Sequence, residues 1–265
     1  MINIKDTLIF HGIYYLKREL KCFLITLGNI GYDFTRVMFY ILRLRVNFKA
    51  TIEQSSRFAV DSLPITLTIV GMTSIIIAMQ IAPELAKQGA ENYIGMLSAL
   101  VMIRELATIM AGFAIISMIG SSFASELASM AVSEQISAMR VLRVDPIEYL
   151  IVPRFLAGVI MMPVVFIVAS FVGLLCAGYV ANWTAELSLL NYVDSLWRGL
   201  YVRDIMIAML KSAFFGGTIA LISCSSGYST RGGAKEVGMS TTRAVVWSFL
   251  AIAIWDYIFA AMFYL

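Results

Sequence analysis

Four ionisable side chains stand where the surrounding sequence offers them little water: Arg104 and Glu105 side by side, Lys211, and Asp256 within a long apolar run. Holding such a group at mid-bilayer costs about 2.5 to 3.5 kcal/mol on insertion scales, so each calls for a partner or a wet cavity. The chemistry open to them is ion pairing, ion or proton relay, or recognition of a charged headgroup. Arginine suits the last role, because its planar fork donates two hydrogen bonds to a phosphate. Nucleophilic and metal chemistry are poorly provided for. His11 is the single histidine and precedes every apolar run, while Cys22, Cys176 and Cys224 lie far apart. A zinc site and a disulfide framework are therefore disfavoured, and an intramembrane lipid enzyme would have to rely on an unusual Ser/Lys arrangement. The nearest thing to a phosphate loop, Gly227-Tyr-Ser-Thr-Arg-Gly232, continues with Gly233-Ala234 where a Lys and a hydroxyl are needed. No cofactor is expected on this chain; if nucleotide drives it, another chain binds the nucleotide.

The elements that must position these charges are membrane helices. Of the 265 residues 60% are hydrophobic and only 14% charged, whereas a soluble domain carries roughly 25% charge. The net charge of +3 is too small to suggest nucleic acid. Uncharged runs extend over Ser62 to Pro83, Leu106 to Ser125, Phe155 to Ala185 and Ser212 to Thr230, and Ala244 to Leu265 is broken only by Asp256. Each can cross about 30 Å of hydrocarbon as a helix. A start of the second run near Tyr93 would take Arg104 and Glu105 inside it. The third, with Pro163 within, is long enough to be tilted, kinked or extended beyond the core. The prediction is an all-α integral membrane protein with five transmembrane helices in residues 58–265.

Basic residues orient it. Lys5, Lys17, Arg18, Lys21, Arg36, Arg43, Arg45, Lys49 and Arg57 precede the first span, Arg140, Arg143 and Arg154 follow the second, and Arg231, Lys235 and Arg243 follow the fourth. Only Lys87, Arg198 and Arg203 lie on the other side. The positive-inside rule then sets the N-terminus in the cytoplasm and the C-terminus in the periplasm. In residues 1–57 the apolar positions Leu16, Leu20, Phe23, Leu27, Ile30, Phe34, Val37, Ile41 and Leu44 step by threes and fours, which makes one helical face. A coiled-coil seam would show that pattern; the basic excess favours an amphipathic helix on the anionic cytoplasmic leaflet.

Depth arithmetic pairs two of the buried charges. Lys211 falls about 9 Å below the outer face if the fourth span starts near Ile205, and Asp256, thirteen residues beyond Arg243, about 10 Å below the same face. A Lys211 to Asp256 ion pair is expected. Arg104 and Glu105 point about 100° apart on a helix and cannot satisfy one another. Either one meets a headgroup or cavity while the other pairs with a neighbouring helix, or both are structural at a wet rim. Ser117, Ser121 and Ser125 recur every four residues beside Gly120, Ala124 and Ala128, a small face that fits tight packing within the chain or a dimer seam.

Between the second and third spans, Ser133 is a plausible N-cap, Glu134 suits a first helical turn, and Ile136, Met139, Leu142 and Val141 form a short apolar stripe ending before Asp145-Pro146. This predicts a cytoplasmic helix over about 130–143, either a plain connector or a knob for a groove on a soluble partner. Here the chain becomes recognisable. Arg104-Glu-Leu, the run from Ala124 to Met139 (Ala-Ser-Glu-Leu-Ala-Ser-Met-Ala-Val-Ser-Glu-Gln-Ile-Ser-Ala-Met), Asp145-Pro146, Pro153-Arg154, Lys211-Ser212, Gly238-Met-Ser-Thr-Thr-Arg-Ala-Val-Val246 and Asp256-Tyr257 together resemble the MlaE/YrbE family. Members of that family are permease subunits of ABC transporters that work with MCE proteins.

The resemblance covers roughly residues 60–265. It implies a homodimer in the bacterial inner membrane or plastid inner envelope, two copies of a separate ATPase that binds ATP and Mg, and a periplasmic MCE carrier. It also implies movement of phospholipid in maintenance of the cell envelope. Ser133, Glu134, Gln135, Met139 and Arg140 fall in the family's coupling helix. Three positions depart from the family pattern: Ala107-Thr108 replaces Gly-Pro, Met118 replaces an Arg, and Ser137 replaces an Asp. Withdrawing a two-chain phospholipid exposes about thirty methylenes, on the order of 25 kcal/mol at about 0.8 kcal/mol each. A path must therefore offer an apolar cavity, expected near Ile77, Leu85 and Met102, with a headgroup collar near Arg104 and Glu105. An ion-coupled secondary transporter using Glu105, Lys211 and Asp256 is the alternative.

Overall fold

Helix formation across the molecule follows from the sequence pattern: long apolar runs have no way to satisfy their main-chain groups in lipid except within a helix. The computed structural model describes residues 27–185 and 187–264, and among these there is no strand. The helices are α1 (27–42), α2 (Phe48–Lys87), α3 (Glu91–Val132), α4 (Gln135–Val141), α5 (Ile147–Ala185), α6 (Leu189–Gly199), α7 (Val202–Tyr228) and α8 (Ala234–Tyr264). Five of them, α2, α3, α5, α7 and α8, are long and apolar enough to cross a membrane. They run alternately up and down, so that α1, α4 and the α7–α8 turn share one end. The α2–α3 turn and α6 share the other, where Ser195 Oγ donates to Asn92 O at 2.6 Å and accepts from Met96 N at 3.1 Å.

Every span is longer than the uncharged run that predicts it. The second does start before Tyr93, and the fourth takes in Lys211. Of the charged residues that bounded the runs, Glu105, Glu126, Arg154 and Lys211 lie inside helices and are paired there, whereas Asp61 and Arg243 lie inside helices without an ion pair to another described residue. Helix α5 passes through Pro163 without interruption, and α3 continues through Ala107-Thr108 as regular helix after a π-helical turn at Met102–Leu106.

The N-terminal pattern is read differently by the fold. Leu16, Leu20 and Phe23 lie outside the described residues. From Leu27 on, the predicted continuous face is divided: α1 stops at residue 42, Leu44 turns with φ of 55°, and Asn47 restarts the chain as helix by accepting from Ala50 N at 3.2 Å. Helix α1 buries Asp33, Val37 and Tyr40 and leaves Leu27 and Phe34 exposed, as is Leu44 in the turn that follows. Of the face that apolar periodicity selects, Val37 is buried and Ile30 and Ile41 pack on the core, while the polar contacts of Asp33 and Tyr40 bring an adjoining strip inward beside them. Burial pushes the Asp33 carboxyl above the usual carboxylate range, opposed by the Ser225 hydroxyl and the Arg36 guanidinium.

Helix α7 is the most enclosed of the five spans and α8 the least. α7 packs against α3, α5 and α8. Its approach to α5 requires glycine on both sides: a Cβ on Gly216 would lie 2.1 Å from the Gly158 carbonyl oxygen, and one on Gly158 would lie 2.4 Å from that of Gly216. Gly120, Ala124 and Ala128 of α3 also face α7, so that small row serves packing within the chain. Ser117 and Ser121 return their hydroxyls to their own helix, at Phe113 O and Ser117 O. Replacing Gly216 with Ala is expected to cost about 1–3 kcal/mol through overpacking, whereas Ala at the open, helical Gly238 should be neutral or mildly stabilising. Thermal unfolding in detergent checks the contrast, and equal melting temperatures would refute the close crossing.

Candidate functional site

The interior of α7 carries a charge network. Lys211 is completely enclosed, and its Nζ lies 2.6 Å from Asp256 Oδ1 on α8 and 2.7 Å from Glu105 Oε2 on α3. It also donates to the main-chain oxygen of Arg104 at 3.1 Å. Seven residues earlier on α7, two helical turns away on the same face, Asp204 accepts from Arg104 at 3.1 Å. The Arg104 guanidinium lies 4.8 Å from the centre of the Tyr264 ring. Three helices are thereby joined through five charged groups, with formal charges leaving one carboxylate in excess.

Arg104 and Glu105 both turn to α7, rather than one to a neighbour and one to a headgroup. Local backbone is the reason: the two residues lie in the π-helical turn Met102–Leu106, wider than an α-turn, and Asp204 and Lys211 meet them at successive levels. Their side chains still keep 32% and 36% of their surface exposed, so the network has an open edge. The apolar residues expected beside them do not gather into one cavity wall. Met102 is fully enclosed and receives the Ser74 hydroxyl at 3.5 Å. Ile77 packs on the same core, and Leu85 joins a separate cluster with Ala82, Ile94 and Tyr192.

At the opposite end, α4 is shorter than predicted. Ser133 does not cap it: its hydroxyl donates back to Ser129 O at 2.8 Å and closes α3. Glu134 occupies the cap position in a left-handed conformation, φ 60°, with no side-chain cap, rather than joining the first turn. A reversal between two helices needs one such residue, and the chain places Glu134 there. Ile136 is buried and Met139 half-buried, while Gln135 is exposed and Val141 and Leu142 are 83% and 75% exposed. Arg140 reaches from α4 to the last residue of α7, donating to Tyr228 Oη at 2.6 Å. Behind α4, Asp145 caps α5 by accepting from Ile147 N at 2.9 Å, and its other oxygen accepts from Arg36 and Tyr40 of α1. A polar cavity of about 1080 Å³ lies between α1, α4 and the end of α7.

Sequence reasoning missed a second cluster. Glu126 of α3 accepts from Arg154 of α5 at 2.9 Å and from Arg57 of α2 at 3.3 Å. Arg154, nearly buried, lies 5.4 Å from the Phe123 ring centre and donates to Leu150 O. In the sequence Arg57 and Arg154 serve to orient the spans, and Glu126 and Arg154 stand within the quoted motifs, but nothing there pairs them. Asp204, Tyr228, Arg36 and Tyr40 were missed likewise; their signal is a long-range pairing that spacing does not encode.

Five apolar helices with paired charges in their interior define a multi-pass membrane protein. The family model described as Permease MlaE matches residues 51–262, and the chain belongs to that family. It is 37% identical over 219 residues, 83% of each chain, to a protein of Synechocystis sp. described as a probable ABC transporter permease. To the chloroplastic protein Trigalactosyldiacylglycerol 1 of Arabidopsis thaliana it is 36% identical over 229 residues, 86% of this chain and 65% of that one. To a probable ABC transporter permease of Rickettsia prowazekii it is 34% identical over 203 residues, 77% of this chain and 78% of the other.

Replacing Lys211 with Met strands two carboxylates inside the bundle and is expected to destabilise the protein by about 3 kcal/mol. Adding Asp256→Asn should recover part of that loss. A double-mutant cycle on thermal stability reads the coupling, and strictly additive effects would mean that the pair contributes nothing.

Proposed function

We propose that this chain is the permease subunit of an ATP-driven transporter that passes phospholipid between a bacterial inner membrane and a periplasmic MCE carrier. It would act as a homodimer above two copies of a separate ATPase. Similarity to proteins named as ABC transporter permeases supports the transporter class, and a relative bearing the name of a glycerolipid supports the cargo class. Arg36, Arg43, Arg45, Lys49 and Arg57, with Arg140, Arg143 and Arg154, crowd the α4 end, which favours that end as cytoplasmic.

The observation that carries the reading is α4 itself. Its last residue Val141 and the following Leu142 offer bare apolar surface outside the bundle, fit for a groove on a soluble motor. Through Arg140 and Tyr228 the same short helix is tied to α7. Lys211 lies seventeen residues back along α7, about 25 Å, so a push on α4 would act on a rigid rod whose far half holds Glu105 and Asp256. Displacing that rod would loosen or re-form the charged seam beside which lipid must pass. An ion-coupled transporter is the second reading, favoured by one fact: the Lys211 ammonium is shared between two carboxylates.

In proteoliposomes containing the permease, its ATPase and its carrier, Leu142→Asp should reduce ATPase association and phospholipid movement at least ten-fold while the permease keeps its melting temperature. A hydrolysis-dead ATPase should stop movement altogether. Undiminished movement with that dead motor, collapsing when an ion gradient is removed, would replace this reading with the second.

A further inference from the structure

Where α7 hands over to α8, the turn 229–233 walls a second polar cavity of about 260 Å³ that the transport reading does not use. Gly232 makes the turn possible. Its φ is 124°, and a Cβ there would lie 2.9 Å from Glu236 Cγ, so the turn closes directly over the first turn of α8. Arg231 lines this cavity from the turn, where it also borders the larger cavity beside α4, and Arg243 lines it from α8. Neither guanidinium makes an ion pair or a hydrogen bond with another described residue.

The wall opposite them would ordinarily be electronegative, because the last carbonyls of α7 have no helical partner. Here one of them is heavily covered: the Ser226 carbonyl oxygen accepts from the hydroxyls of Ser229 at 3.2 Å, Thr230 at 3.0 Å and Ser240 at 2.8 Å. With that acceptor saturated, the charged groups in the lining are two arginines against the single carboxylate of Glu236. The cavity holds the volume of roughly nine liquid waters at about 30 Å³ each, enough for a phosphate and the first atoms of an ester. Arg243 immediately precedes the uncharged stretch of α8 that begins at Ala244, which sets the cavity at headgroup depth.

We propose that this pocket binds a phosphate group, gripped by the Arg231 and Arg243 guanidiniums. Two arginines in the lining of one small cavity supply planar forks, which match the acceptor geometry of phosphate better than that of a carboxylate or of a zwitterionic surface. An anionic phospholipid of the leaflet next to α4 and a free phosphate both present this chemistry. The pocket is separate from the Lys211 network and would stand even if the chain moved a cargo other than lipid.

The test uses the full chain in nanodiscs, comparing wild type, the double variant Arg231→Gln with Arg243→Gln, and Lys235→Gln, whose charge neighbours the cavity without lining it. Retained phosphatidylglycerol is counted by native mass spectrometry against a phosphatidylcholine background, and inorganic phosphate is titrated by thermal shift in phosphatidylcholine discs alone. Wild type and Lys235→Gln should retain phosphatidylglycerol equally, and the double variant at least ten-fold less. Arg231→Gln alone, an exposed turn position, should show a several-fold loss if the double variant fails to fold. A thermal shift with inorganic phosphate and no retained phosphatidylglycerol, again lost only in the arginine variants, would make the ligand a free phosphate. Equal retention in all variants, or equal loss in Lys235→Gln, would overturn the site in favour of diffuse surface attraction.

Discussion

The Lys211 ammonium, sealed among three helices, is the constraint around which the bundle is organised. A lone cation in that place would be untenable in a lipid-facing bundle, and the fold answers with Glu105, Asp256 and a main-chain oxygen at hydrogen-bonding distance. Such an arrangement is weak evidence for stability as such, since desolvating the ions offsets much of their attraction. Its larger effect is on register. Sliding α3 or α8 along α7 by one turn would part the fully enclosed Lys211 ammonium from its carboxylates, so the three helices are held at one relative height.

A second set of polar ties does the same at the α4 end. Glu126 gathers Arg57 and Arg154 from two other spans, and Asp145 joins α1 to the start of α5. Between these two levels the packing is apolar and close, with glycines letting α5 and α7 touch backbone to backbone. Dispersion and small-residue contact, rather than hydrophobic exclusion, hold helices together in lipid. The bundle is thus pinned by charge at both ends and packed by shape in the middle. That construction suits a machine in which a helix must move as a rod: contacts along its length are smooth, and the discrete bonds that resist motion lie at defined heights.

The short helix α4 illustrates how tertiary context reassigns residues. Its position between the second and third spans is plain from the charge pattern, and Ile136 and Met139 do turn inward. Ser133 has the right identity for a cap, yet it finishes the preceding helix, because α3 continues to Val132 and the Ser129 carbonyl accepts from both the N–H and the hydroxyl of Ser133. The cap position then falls to Glu134 in a left-handed conformation. In α1, likewise, apolar spacing selects a face of which Val37, Ile30 and Ile41 do meet the core, whereas hydrogen bonds available to Asp33 and Tyr40 shift the helix enough to leave Phe34 exposed.

Composition and run length alone determined that the chain is a bundle of five membrane-crossing helices, because hydrocarbon tolerates long apolar helices and little else. Periodicity of charge and depth along each helix determined that Lys211 and Asp256 stand at one level, since a fixed rise of 1.5 Å per residue turns sequence number into height. Which neighbours share that level was decided only in three dimensions. Glu105 joins Lys211, Asp204 claims Arg104, and Glu126 meets Arg57 and Arg154, because rotation about each helix axis and the order of helices around the bundle follow from side-chain packing between segments far apart in sequence. Height is a local property of a helix; azimuth and adjacency are not.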